Sequence, residues 1–464
     1  MHKQLPRDGQ GDADDTAITP TYASRMLSEP ISKYVMPEHS HSPETVYRVI
    51  KDELELDGNA HMNLATFVTT WMEPEATQLM AETFQKNLID KDEYPQTAEI
   101  EKRCINIIAE LWNGDSEGNT LGTSTVGSSE ACMLAGMAFK WRWKAIRLKQ
   151  RKSIAKPNLV LGTNAQICWE KFCRYWEVEP RFVPLEKGRY HLDPVAASKL
   201  CDEHTIGVVG ILGSTMDGSY EPIETLARAL DDLQEQTGLD IPIHVDAASG
   251  GFVAPFIQPD LVWDFRLLRV KSINTSGHKY GMVYPGVGWV LWRHPNDLPK
   301  DLVFDVNYLG GEMPTFAINF SRPGNGVIAQ YYNFLRLGRD GYRRIQQNCQ
   351  NTALYVSSQI AEMGPFSLLS KGDDLPVFAF TLKDEVDGFS LYDLSERMRE
   401  QGWQVPAYTM PKNLEKMVVM RIVVKENFSH DVANLFLKDL KQQVDWLGSN
   451  PLRAPSQPRQ SFHH

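Results

Sequence analysis

Ile241-Pro-Ile-His-Val-Asp-Ala-Ala-Ser-Gly-Gly251 reads as a short buried strand that ends on a carboxylate and then runs into almost nothing but small residues. A carboxylate at a strand end, among Ala and Gly, suggests a flat ligand lying close to the backbone. A second stretch, Val270-Lys-Ser-Ile-Asn-Thr-Ser-Gly-His-Lys279, carries β-branched Ile273 and Thr275 and suits a strand that ends in a loop. It brings Lys279 to a position 33 residues beyond Asp246 (279 − 246). A lone lysine is usually a solvated surface cation. An aspartate and a lysine that each leave a strand end are a different matter, because together they are what pyridoxal phosphate needs. The amine forms a Schiff base, and the carboxylate keeps the pyridine nitrogen protonated so that the ring can accept electrons.

Outward from these two stretches, apolar runs at 158–161, 207–212, 241–245, 270–275 and 288–292 read as strands, with helical patterns at 167–176, 194–202 and 221–236 between some of them. Such alternation predicts an α/β fold with a mostly parallel central sheet covered on both faces and ligands at the carboxyl ends of its strands. Asp246, Lys279 and Thr215 all follow such strands. Residues 122–130, rich in Gly, Ser and Thr, read as a loop entering a helix over 131–140. Backbone amides and hydroxyls at a helix start make a phosphate site, although Ser128 or Ser129 would serve equally as an ordinary N-cap.

Upstream, Ser42-Pro43-Glu44 opens a helix with Val46, Ile50 and Leu54 at spacing four, and a further helix spans 98–112. Residues 63–67 and 89–95 are loop-like. Downstream, a long helical stretch from about 326 leads into 347–362. A smaller α+β unit follows, with strands at 377–381 and 417–424 and a helix through Leu391, Leu394 and Met398 that Gly402 ends. The expected organisation is an N-terminal arm over 1–60, a large cofactor-binding domain over 61–346, a small C-terminal domain over 347–449 and a flexible tail over 450–464.

Composition excludes several classes. A chain of 464 residues, 42% hydrophobic and 23% charged, can bury a large core. A net charge of −11 without a basic run argues against nucleic acid or a membrane surface as partner. No run is long enough to span a bilayer, and Met1-His-Lys-Gln-Leu-Pro-Arg-Asp-Gly-Gln10 lacks the apolar core of a signal peptide. Six scattered cysteines with no C-x-x-C pair read as reduced buried thiols, not as disulfides or a metal site. The expected location is the cytoplasm, with acid-dependent peripheral membrane association as a variant of it.

The motifs Leu64-Ala-Thr-Phe, Ile89-Asp-Lys-Asp-Glu-Tyr-Pro, Gly127-Ser-Ser-Glu-Ala-Cys-Met, His244-Val-Asp-Ala-Ala-Ser-Gly-Gly, Ser276-Gly-His-Lys, Asn319-Phe-Ser-Arg-Pro and Gly402-Trp-Gln-Val-Pro-Ala together resemble the glutamate decarboxylases of the bacterial and plant type. The resemblance runs from Asp57 to the C-terminus. It implies the pyridoxal-phosphate-dependent transferase fold (fold type I) and α-decarboxylation of L-glutamate to γ-aminobutyrate, with one proton consumed per turnover and a role in acid resistance. It also implies a homodimer at least, with active sites drawn from both chains, and a hexamer in bacterial members.

Carried over by position, the resemblance makes Lys279 the Schiff-base lysine and Asp246 the partner of the pyridine nitrogen. Ser128, Ser129, Ser276 and His278 bind the phosphate, with Ser321 reaching in from the partner subunit. Gln166 stacks over the ring, Ala247 or Ala248 packs on its other face, and Thr215 sits near the ring oxygen. Thr66, Phe67 and Asp90 receive the distal carboxyl of glutamate, and Arg421 pairs with its α-carboxylate. An Asp90–carboxyl contact needs one of the two protonated, which points to acid-favoured work. Glu170 stands where some bacterial members have histidine, and the chain lacks the basic calmodulin-binding extension of plant members.

The resemblance further implies that His464 adds to the cofactor imine at neutral pH and lets go on acidification, since imidazolium is not nucleophilic. Protonation of Asp8, Asp12, Asp14 and Asp15 is a second acid trigger. Two other readings stay open: another fold-type-I amino-acid decarboxylase or an aminotransferase, which share the cofactor residues, and a non-catalytic binding protein.

Overall fold

The computed structural model describes residues 33–115, 117–306, 313–451 and 456. The chain divides into two compact units, Met1–Ala60 and His61–His464. Within the first, α1 (Pro43–Leu54) starts as its sequence predicts: the Ser42 hydroxyl accepts from the Thr45 amide at 3.2 Å, with proline in the first turn.

The second unit is built on a seven-stranded sheet of β1 (Leu121–Thr125), β2 (Asn158–Gly162), β3 (Glu179–Val183), β4 (Thr205–Ile211), β5 (Ile243–Asp246), β6 (Val270–Ser276) and β7 (Gly288–Trp292). The order is β1-β7-β6-β5-β4-β2-β3. Neighbours from β6 to β3 pair in parallel, and β7 runs antiparallel to both β6 and β1. The central strands β2, β4, β5 and β7 are buried at every residue, as a sheet covered on both faces requires. Around it lie α2 (Pro74–Glu82), α3 (Pro95–Leu111), α4 (Ser128–Lys149), α5 (Ile167–Tyr175), α6 (Pro194–Lys199), α7 (Ile223–Thr237) and α8 (Ala254–Ile257). Helix α4 packs along β4, β6 and β7 through Leu134 and through Ala131, Ala135 and Ala138, whose small side chains let it approach the sheet closely.

Two strands differ from the sequence expectation. Residues 121–125 are not loop: they pair with β7 in register from Leu121↔Trp292 to Thr125↔Gly288. Likewise α4 begins at Ser128, not at 131, and runs on to Lys149. Gly127 is its N-cap, so Ser128 and Ser129 are its first helical residues and neither serves as the cap. Their hydroxyls are thereby left for other work. The edge strand β3 was not expected at all, and its Pro180 fits only where no ladder partner is needed.

After the short ribbon of β8 (Phe304–Val306) and β9 (Met313–Thr315), α9 (Asn325–Glu362) spans 38 residues and is broken at Gly338, where φ is 57°. The domain boundary expected at residue 346 falls inside this helix. A second, antiparallel sheet follows, of β10 (Phe366–Leu368), β11 (Val377–Leu382), β12 (Ala407–Thr409) and β13 (Val418–Val423), in the order β10-β11-β13-β12. With α10 (Leu391–Glu400), α11 (His430–Ser449) and the end of α9 it encloses its own core around Val356, Phe378, Phe380, Leu394, Ile422 and Phe436. A capping box of Ser390 and Asp393 starts α10, and Gly402, at φ 89°, follows its end. Among the described residues no helix is long and apolar enough to cross a membrane. Five of the six cysteines are buried and Cys201 is half-buried, all as free thiols.

Candidate active site

A cavity of about 280 Å³ opens at the carboxyl ends of β4, β5 and β6, against the N-terminus of α4. Asp246 is the last residue of β5, and Lys279 lies three residues past the end of β6. Parallel strands put both on one rim, which is where an open α/β sheet binds its ligand. Ser128, Ser129, Gln166, Thr215, Ala248 and His278 also line the cavity, as the sequence leads one to expect. Of the two alanines left open, Ala248 faces the cavity, and Ala247 is fully buried outside it.

Asp246 accepts from four donors. At Oδ2 these are Trp169 Nε1 at 2.9 Å and the Cys132 thiol at 3.5 Å; at Oδ1 they are Asn274 Nδ2 at 3.2 Å and the Ala248 amide at 3.1 Å. A carboxylate so surrounded is fixed in orientation. Lys279 Nζ donates to Ser249 Oγ at 3.3 Å and stands 5.2 Å from the centre of the Phe67 ring. Burial lowers its ammonium pKa, and the Asp246 charge opposes that shift. A desolvated amine of this kind is more often neutral, hence more nucleophilic, than a surface lysine.

The N-terminus of α4 supplies unpaired amides and the positive end of its dipole. The Ser276 and Ser128 hydroxyls lie 2.8 Å apart beside it, so Ser276 stands behind the cavity wall and supports it. Gly127 admits His278: a Cβ there would meet the imidazole Cε1 at 2.8 Å. Burial depresses the His278 pKa to about 4, and the Lys279 charge acts in the same direction, so the ring is neutral at physiological pH. Gln166 caps α5 by accepting from the Cys168 amide at 2.6 Å.

The second sheet contributes Arg421 from β13. Its guanidinium bonds the carbonyls of Thr215 and Ala65 and lies 4.7 Å from the centre of the Phe67 ring. Arg421, Phe67 and Lys279 are therefore grouped beside Thr215. Thr66, next to Phe67, accepts from the Val68 amide at 3.2 Å. Six expected residues do not line this cavity: Ser276 lies behind its wall, Thr66, Phe67 and Arg421 stand beside it, and Asp90 and Ser321 lie elsewhere. Asp90 and Ser321 belong to two loops fastened together, through Leu88 N to the Arg322 carbonyl at 3.0 Å and Asn87 Nδ2 to Ser321 Oγ at 3.4 Å. Glu130 and Arg322 tie the second of these loops back to the start of α4 and to Ser124. His464, Asp8, Asp12, Asp14 and Asp15 lie outside the described residues.

Sequence reasoning missed Ser249, Asn164, Trp169, Cys132 and Asn274. Only the register Asp246↔Asn274 between β5 and β6 could have singled out the last. The donor set fits pyridoxal phosphate: a carboxylate for the pyridine nitrogen, a buried amine for the aldehyde carbon, and hydroxyls and helix amides for the phosphate. Asn164 also fits, since its Oδ1 is buried at the cavity without a hydrogen-bond partner among the described residues.

A family model described as a pyridoxal-dependent decarboxylase conserved domain matches residues 37–383. The chain is 52% identical over 464 residues to a glutamate decarboxylase of Aliivibrio fischeri, covering 99% of this chain and 100% of that one. It is 49% identical over 439 residues to a glutamate decarboxylase of Solanum lycopersicum, covering 94% and 87% of the two chains. A solved glutamate decarboxylase structure from Lactobacillus brevis matches with a TM-score of 0.88 at 47% identity, over 91% of this chain and 97% of the other. A structure of Oryza sativa TDC with PLP and tryptamine, at 15% identity and a TM-score of 0.73 over 93% and 91% of the chains, shares the fold.

Proposed function

The chain belongs to the pyridoxal-dependent decarboxylase family, and on that premise we infer that it removes the α-carboxyl group of L-glutamate as CO₂, leaving γ-aminobutyrate. The observation that carries this reading is the full-length likeness to glutamate decarboxylases on a chain whose Asp246 and Lys279 meet at one cavity. Pyridoxal phosphate, when bound, supplies the electron sink for the pair left on Cα as CO₂ departs. The chain's residues do the rest. Asp246 holds a proton at the ring nitrogen, and Lys279 Nζ provides the amine that anchors the cofactor. Ser128, Ser129 and His278 hold the phosphate, with Ser276 behind them. Gln166, Ala248 and Thr215, which line the same cavity, would hold the ring in place. Arg421 pairs with the α-carboxylate and so orients the bond to be broken. Lys279 Nζ, or an acid beside it, returns a proton to Cα.

Thr66, Phe67 and Asp90 take the distal carboxyl. In keeping with the resemblance, in which active sites draw on both chains, a second copy of the chain supplies Ser321, together with Asp90 on the loop fastened to it, and the working form is a homodimer or a larger assembly of dimers. Thr66→Ala and Asp90→Asn should raise KM for glutamate roughly tenfold, with a smaller fall in kcat, since both contacts hold a remote group in ground and transition state alike. L-Aspartate, one methylene shorter, should be a poor substrate of the unmodified enzyme. Steady-state rates on a panel of glutamate, aspartate and aromatic amino acids test the assignment, and comparable kcat/KM on aspartate or an aromatic would overturn it.

Consumption of a proton in each turnover suits a cytoplasmic enzyme that defends against acid and is silent at neutral pH. His464 is the proposed silencer, because a neutral imidazole is a nucleophile that would block the loaded site and an imidazolium is not. Removal of His463 and His464 should extend activity to higher pH than the full chain shows. Superimposable pH–rate profiles of the two proteins would remove the tail from the account.

A further inference from the structure

Behind Asp246 lies a line of polar side chains to which the reaction, as derived above, gives no role. His244 and Asp246 lie two residues apart on β5 and so point to the same face of the sheet, and Ser272 and Asn274 stand opposite them on β6 in the register His244↔Ser272 and Asp246↔Asn274. His244, Ser272 and Asn274 are all fully buried. His244 Nδ1 is 2.8 Å from Ser272 Oγ and its Nε2 is 2.8 Å from Asn274 Oδ1, while Asn274 Nδ2 donates to Asp246 Oδ1 at 3.2 Å.

For a neutral imidazole these contacts admit one consistent assignment of protons. The Asn274 amide must turn its NH₂ to Asp246, because its carbonyl there would set acceptor against acceptor. Its Oδ1 then needs a donor, which only a His244 bearing its proton on Nε2 provides. Nδ1 is left as an acceptor for the Ser272 hydroxyl. Every donor in the line thus points toward Asp246. The imidazole also lies 5.2 Å, centre to centre, from the Trp169 ring, whose Nε1 is a second donor to Asp246. Asp246 is the charged group facing His244, and Phe139 packs edge-on against the ring at 6.3 Å. Burial holds the His244 pKa down to about 4, so the neutral tautomer the line requires persists through mildly acid conditions.

We propose that His244 and Asn274 are positioning residues that lock the Asp246 carboxylate in the orientation that receives the cofactor's ring nitrogen. The proposal rests on the reading of Asp246 as that nitrogen's partner. The ordinary alternative is a core histidine satisfied by its strand neighbours, which would matter to stability alone. Without the His244 donor, the Asn274 amide is free to flip and Asp246 loses its orientation.

The test compares the full-length wild type with His244→Leu and His244→Gln, each stripped of cofactor and titrated with pyridoxal phosphate by quenching of tryptophan fluorescence. His244→Leu should bind about tenfold more weakly, and His244→Gln, whose amide can still donate to Asn274, should recover most of that loss. Leu and Gln variants that both bind as wild type would overturn the proposal. Side-chain ¹⁵N NMR of the wild-type protein tests it without any substitution: His244 should carry its proton on Nε2 with and without cofactor, and an Nδ1–H tautomer or a charged ring at neutral pH would contradict it. If wild-type protein takes up no pyridoxal phosphate, the reading of the cavity fails, whereas a cofactor-binding wild type with an indifferent His244→Leu variant removes the relay alone.

Discussion

The Lys279→Ala protein is expected to show no measurable turnover of glutamate, the largest effect of any single substitution in this chain. Among the described residues no other amine lines the cavity at the ends of β5 and β6, so nothing can take over the covalent attachment of the cofactor. The substitution leaves the Ser249 hydroxyl without its donor and opens space below the Phe67 ring, but it breaks no ion pair among the described residues and should not unfold the protein. The checkable sign is chemical. Borohydride should fix pyridoxal phosphate irreversibly to the wild-type chain and should fail to fix it to Lys279→Ala, where the amides and hydroxyls at the start of α4 should leave only weak, dialysable binding. Retained turnover, or covalent fixation at another residue, would show that the anchor lies elsewhere.

Asp246→Asn should keep the fold and lower kcat by roughly 100- to 1000-fold, the scale on which removal of a fixed charge or donor from a preorganised site is felt. Asparagine nearly preserves shape, and its Oδ1 can still accept from some of the four groups that hold Asp246. It carries no charge, however, so the ring nitrogen loses the partner that keeps it protonated and the electron pair on Cα has a poorer sink. The NH₂ of the new amide also faces a donor wherever it is placed, either Trp169 and Cys132 or Asn274 and Ala248, so cofactor affinity should fall as well. A near wild-type kcat would remove Asp246 from its role.

Much of this arrangement was legible in the sequence, and the reasons are physical. Strands β5 and β6 could be read because their β-branched residues, Ile243 and Val245 in one and Val270, Ile273 and Thr275 in the other, end abruptly on small and polar residues. Strand β1 could not, because Leu-Gly-Thr-Ser-Thr lacks an apolar run and pairs with a strand more than 150 residues away, Leu121↔Trp292. Once that strand is in place α4 starts early, and Ser128 and Ser129 are its first helical residues instead of its caps. The shell around Asp246 was invisible for a different reason: Trp169 comes from α5, Cys132 from α4 and Asn274 from β6, so only packing and register bring them together. Arg421, Thr66, Phe67 and Asp90 were proposed from motif likeness alone. Their local sequences would pass for strand or loop, and the fold brings Arg421 and Phe67 to Lys279, whereas half-buried Asp90 is not among the residues lining the cavity.

The most direct test of the central claim is to incubate the cofactor-loaded wild-type protein with L-glutamate at acid and at neutral pH and to quantify every product. Pyridoxal-phosphate-dependent α-decarboxylation predicts CO₂ and γ-aminobutyrate in equal amounts, with one proton taken up for each, and more of all three at acid pH. Formation of a 2-oxo acid without CO₂, or release of no product at either pH, would contradict it.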